Sequence, residues 1–143
     1  MTGPHEVWVW QFDRDYPGTD GDDSALPIRR VVIKGADGAY YQSTFDTHPR
    51  AISGPEAAAR ARDEVYAPQG IYCSIWVVPH GVYPGYGPWP DGGEGLDYAY
   101  AEGQMHGRLA VAAARADEPK VLTVDLEPYY YDTVDGTPQY WRK

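Results

Sequence analysis

The run KVLTVDLEPYYYD, residues 120–132, ends a set of β-forming residues in two carboxylates, Asp125 and Glu127, followed by a proline and three tyrosines. In a strand, residues i and i+2 point the same way, so both acids share a face with Val121 and Thr123. At the C-terminal end of a parallel strand, α/β folds gather their reacting groups. Two neighbouring acids in a partly apolar site push each other's pKa apart, so that one stays protonated while the other remains charged. Glycoside hydrolysis needs that division: a proton for the leaving oxygen, and a negative charge for the oxocarbenium-like centre or for a water. Glu127, on the longer arm, is the candidate acid, and Asp125 its positioning and tuning partner. An acidic strand end can also simply bind water or cap a helix, so the neighbours decide.

Those neighbours are polar groups at the ends of other strand-like runs. Asp37 stands in KGADGAYY, His80 in VVPHG, and Gln11 or Asp13 closes the first run. The rings of Tyr40, Tyr41, Trp76, Trp89, Tyr129 and Tyr130 flank these positions, and two or three of them are expected to stack on sugar faces. Other chemistries fit worse. The aspartates of DRDYPGTDGDD fail the calcium-loop pattern because Pro17 stands where the third ligand belongs. His5, His48, His80 and His106 show no zinc spacing, and there is neither a G-x-S-x-G elbow nor a phosphate-cradling glycine loop. No metal and no cofactor are expected. His106, in EGQMHG, is assigned to a helix packing face.

Four strand-like runs must position these groups: 6–12 (EVWVWQF), 28–38 (IRRVVIKGADG), 70–81 (GIYCSIWVVPHG) and 120–127 (KVLTVDLE). The third is apolar on both faces, as in a covered parallel sheet. Ser53, Pro55 and Glu56 form a capping-box start for a helix over GPEAAARARDEVYA, and a second helix is expected over 94–116. The order strand–helix–strand–helix–strand predicts an α/β fold with a parallel sheet. More narrowly, it predicts four strands with helices after strands two and three, half of a TIM-type (β/α) barrel. The first connection, DRDYPGTDGDDSALP, is long enough for a parallel crossover but lacks helical periodicity. Near the end, TPQYW reads as the opening of another helix.

Composition narrows the partners. The chain has 143 residues, 43% of them apolar, and a formal charge of -9, which suits one globular domain and disfavours nucleic acid and anionic membranes. It holds 13 Tyr and 5 Trp against 2 Phe, and rings with a polar tip suit wet, hydroxyl-rich ligands and protein interfaces alike. The single cysteine, Cys73, lies in an apolar run and is expected to be a buried, inert thiol. No signal peptide and no membrane-spanning apolar run are visible, so a soluble protein is expected and its compartment stays open.

The succession VVIKGADGAYYQSTFD, GIYCSIWVVPHG, AYAEGQMHG and VLTVDLEP resembles the first half of glycoside hydrolase family 25, the lysozyme-like muramidases. It is more similar still to uncharacterised glycosidase-like TIM-barrel proteins with a W-x-W first strand, a K-x-x-D-G turn at strand two and a D-x-E-x-x-Y at strand four. The likeness runs from Val7 to Asp132, and its specific elements are K-x-x-D-G and D-x-E. It implies Glu127 as acid/base, Asp125 as its partner and Asp37 as a supporting carboxylate. Where the muramidases end strand one in a functional aspartate, this chain has Trp10 and Gln11, and strands five to eight have no counterpart. A single glycosidase-like domain, 1–143, about half a barrel, is therefore expected. Its open sheet would be completed by a second copy or another subunit, with a polysaccharide such as peptidoglycan as ligand. The alternative is a non-catalytic carbohydrate-binding or structural subunit.

Overall fold

The computed structural model describes residues 5–12, 28–80, 95–125, 131–134 and 137–139. Four strands lie parallel in chain order: β1 (His5–Val9), β2 (Ile28–Asp37), β4 (Tyr72–Val78) and β5 (Leu122–Val124). The two-residue strand β3 (Tyr40–Tyr41) folds back antiparallel on the end of β2. Helix α1 (Pro55–Arg60) runs on through a wide π-turn (Ala61–Tyr66), and α2 (Gly95–Ala113) connects β4 to β5. A separate antiparallel pair, β6 (Tyr131–Val134) and β7 (Thr137–Gln139), follows. The parallel α/β sheet is as expected. Among the described residues it is open, with β1 and β5 at its two edges.

Both helices cover one face. Ala58, Ala61, Val65 and Tyr66 from the α1 segment join Leu109 and Ala113 of α2 over Val31, Ile33, Cys73, Ile75 and Val77 of the sheet. The small residues of PEAAAR let α1 lie close, and the buried positions of α2 (Glu102, Met105, His106, Leu109, Ala110 and Ala113) fall at helical spacing on one stripe. Cys73 is buried as expected, and burial pushes its thiol pKa up to about 12. The other face holds a smaller cluster of Val32, Trp76 and Val78, with no described helix over it.

Two expectations need correction. The cap of α1 is Gly54, with Pro55 in the first turn and no side-chain cap, so Ser53 and Glu56 form no capping box. TPQ at 137–139 is strand β7, paired with β6, and not the opening of a helix. β1 ends at Val9, short of the run's end at residue 12. The aspartate-rich first connection lies outside the described residues.

One irregularity decides which groups meet. Between Lys34 and Ala36 the register of β2 against β4 slips by one residue, a bulge at Gly35. Without it, Asp37 would share the helix face with Ile33. With it, Lys34 pairs Trp76 and Asp37 pairs Val78, so both charged residues stand on the face opposite the helices. Gly35 is needed there: a Cβ would strike the Ile75 Cγ2 and lie 3.1 Å from Leu109 Cδ1.

Candidate functional site

At the C-terminal rim of the sheet, Asp37 is bound from two sides. Lys34 Nζ donates to its Oδ2 at 2.7 Å, and His80 Nε2 donates to its Oδ1 at 2.7 Å. The lysine and histidine are buried, whereas the Asp37 side chain is 28% exposed, so the carboxylate is the member of the trio that meets solvent. Burial raises the Asp37 pKa, but the hydrogen bonds from His80 and Lys34 and the lysine charge outweigh it. The net effect holds the carboxyl below its ordinary value. It is an anion at neutral pH and a hydrogen-bond acceptor.

The lysine is seated among rings. Its Nζ lies 5.2 Å from the Trp76 centroid, 5.6 Å from Trp10 and 5.7 Å from Phe45, within cation–π range. The segment after β3 supplies Phe45 and ties itself to the end of β1. Gln42 Nε2 donates to Trp10 O and its Oε1 accepts from Ile52 N, both at 2.8 Å. Asp46 accepts from Phe12 N at 2.7 Å and His48 N at 2.9 Å, and Gln11 Nε2 donates to Phe45 O at 2.7 Å.

Helix α2 holds the trio from behind. Its Glu102 accepts from the His80 backbone N–H at 2.8 Å, and His106 Nε2 bonds Gly38 O at 2.8 Å. A carbonyl only accepts, so this nitrogen of His106 carries the proton. Burial lowers the His106 pKa, offset in part by the Gly38 bond and the Glu102 charge. The sign of the pH effect follows. With the folded pKa below the ordinary value, the unfolded chain binds the proton first. This share of stability is present above about pH 6.5 and is lost as pH falls toward the folded value. Thermal melts between about pH 7.5 and 5.5 should show a falling Tm, and His106→Gln, which keeps a donor for Gly38 O, should flatten part of that slope. An unchanged slope would mean that His106 is not the group responsible.

The D-x-E strand is only partly described. A bond from Asp125 N to Val77 O, 2.9 Å, extends the β4–β5 ladder by one residue and sets Asp125 level with Val78. Asp37 is level with Val78 from the other side. Asp37 and Asp125 thus flank the end of β4, their backbones two strand spacings, about 10 Å, apart. Asp125 shares the strand parity of Thr123, which pairs Trp76. No hydrogen bond links Asp125's side chain to the trio among the described residues. Glu127, Asp13, Trp89, Tyr129 and Tyr130 lie outside the described residues.

Of the other expected residues, His80 is buried and serves to hold Asp37. Trp76 is 8% exposed, donates from Nε1 to Val9 O at 3.0 Å, and forms a floor beneath Lys34 and Trp8. Tyr40 is 43% exposed, and Tyr41 packs at the margin of the core. The sequence alone assigns no role to Lys34, Glu102, Gln42 or Asp46. Lys34 carried a signal, a cation inside an apolar run and the first letter of K-x-x-D-G. Glu102 and His106 carried one as polar residues on the buried stripe of α2. The trio does not read as a metal centre: no group of three His, Cys, Asp or Glu among the described residues is arranged to hold an ion. No described helix is long and apolar enough to cross a membrane. No family model, no curated protein and no solved structure matches the chain.

Proposed function

We propose that this chain is a glycoside hydrolase-like domain of the half-barrel (β/α) type, acting on a polysaccharide such as peptidoglycan. One observation carries the proposal: an ionised, solvent-facing carboxylate, Asp37, stands at the C-terminal rim of a parallel sheet, level with Asp125 across β4. Glu127 is the acid that protonates the leaving oxygen, Asp125 positions it, and Asp37 supplies the fixed negative charge that a cationic transition state needs. Lys34 and His80 keep Asp37 ionised and aimed, so its charge costs no reorganisation during reaction.

The exposed rings on the same face favour a second reading, a non-catalytic carbohydrate-binding subunit. Glu127→Gln separates the two. As an enzyme, the variant should release reducing ends from peptidoglycan roughly a hundredfold more slowly while still sedimenting with it. Equal binding with no release by either protein would leave only the binding reading. Failure of the wild type both to bind and to cleave would reject carbohydrate function altogether.

A further inference from the structure

Four aromatic rings on the face opposite the helices share an unusual combination: each is largely exposed, yet each is anchored. Trp8, Trp10, Phe45 and Tyr40 are 47%, 46%, 45% and 43% exposed. Trp8 donates from Nε1 to Glu6 Oε1 at 2.9 Å, and its ring tilts against Trp76 at 5.8 Å. Trp10 and Phe45 both lie over the Lys34 ammonium, with their carbonyls bonded by Gln42 and Gln11. Tyr40 meets Phe45 edge to face at 6.5 Å. Trp8 lies in β1 and Trp10 one residue past its end.

The rings therefore form a strip that climbs β1 from Trp8, passes over Lys34 and ends at Tyr40, on the β3 residue paired with Asp37. Its ionised groups, Glu6, Lys34 and Asp37, are interleaved with the rings and fixed in pairs, unlike the continuous apolar centre of a protein interface. Saccharides present apolar C–H faces between hydroxyl donors, and such a strip offers them rings and fixed acceptors in alternation. Two carboxylates along it, in a chain of net charge -9, repel an anionic glycan and equally a second copy of the chain.

We infer that Trp8, Trp10, Phe45 and Tyr40 form an extended subsite for an uncharged, linear glycan that runs up β1 and delivers one sugar to Asp37. This rests on the polysaccharide reading above and adds to it the path, the charge and the chain-wise mode of binding. Several rings in series imply that affinity grows with ligand length.

The test is titration of the full chain with N-acetylated chitin oligosaccharides and cello-oligosaccharides, from disaccharide to hexasaccharide, followed by tryptophan fluorescence and calorimetry. Affinity should rise with length and then level off. Trp8→Ala, Trp10→Ala and Phe45→Ala should each weaken hexasaccharide binding about fivefold, and Trp10→Phe should restore most of it. If the ring variants bind like wild type while peptidoglycan is still bound, the strip is overturned and the polysaccharide reading stands. If neither oligosaccharides nor peptidoglycan bind to the wild type, both fall. Preference for an anionic glycan of equal length overturns the charge argument. A dimer in light scattering that dissociates on Trp8→Ala assigns the face to a second copy and overturns the inference.

Discussion

Lys34→Met should lower stability by about 3 kcal/mol at neutral pH, as measured by denaturant unfolding. Methionine keeps the length of the side chain and its contact with the Trp10, Phe45 and Trp76 rings, so packing changes little. What is lost is the cation that offsets a partly buried carboxylate. Breaking a buried pair from one side costs about 3–5 kcal/mol, and Asp37, being 28% exposed, belongs at the lower end. The pH dependence separates this cause from a general packing defect. Because the folded Asp37 pKa is depressed, its contribution is present above the unfolded carboxyl range and is lost as pH falls through the folded value. The penalty of Lys34→Met should therefore shrink in acid, where Asp37 is protonated in both proteins. Adding Asp37→Asn to Lys34→Met should cost little further, whereas additive penalties would show that the two groups do not act as a pair. In the proposed enzyme, Lys34→Met should also reduce turnover more than binding, because it frees the carboxylate that meets the developing positive charge.

The same pair shows how far the sequence could be followed. The sheet was legible above all from β4, whose run is apolar on both faces, as a covered parallel strand requires. Counting alternate residues along β2, however, places Asp37 on the helix face, away from Lys34. The bulge at Gly35 reverses that parity and turns K-x-x-D-G from a pattern into an ion pair. A glycine inside a strand is a signal for such a bulge. Ser53 and Glu56 match a capping box in sequence, but Gly54-Pro55 fixes the cap one residue later. At 137–139, antiparallel pairing with β6 outweighs the helical look of TPQYW. Gln42 and Asp46 were not legible at all. They sit in a segment with no periodicity, and the backbone groups they bind, at Trp10 and Phe12, are more than thirty residues away at the end of β1.

Gly38→Ala should be about as damaging as removing the lysine, near 3 kcal/mol, and should act through His80. Gly38 has φ of 55°, where an L residue carries a penalty of roughly 1–2 kcal/mol. A Cβ built there would also overlap the His80 imidazole, striking Nδ1, Cγ and Cε1. The ring cannot yield without stretching its bond to Asp37, and Gly38 is pinned on both sides. Its N–H donates to Val78 O at 2.7 Å, and its carbonyl accepts from His106. Losing a hydrogen bond to a charged group accounts for about 1.5–3 kcal/mol, so strain and displacement together reach the stated figure. A double-mutant cycle isolates the second part. In a His80→Ala background the ring is gone, and Gly38→Ala should then cost only the backbone share, about 1 kcal/mol. If its cost is the same with and without His80, the glycine serves the turn alone. The close approach of Gly38 to His80 would then play no part in aiming Asp37.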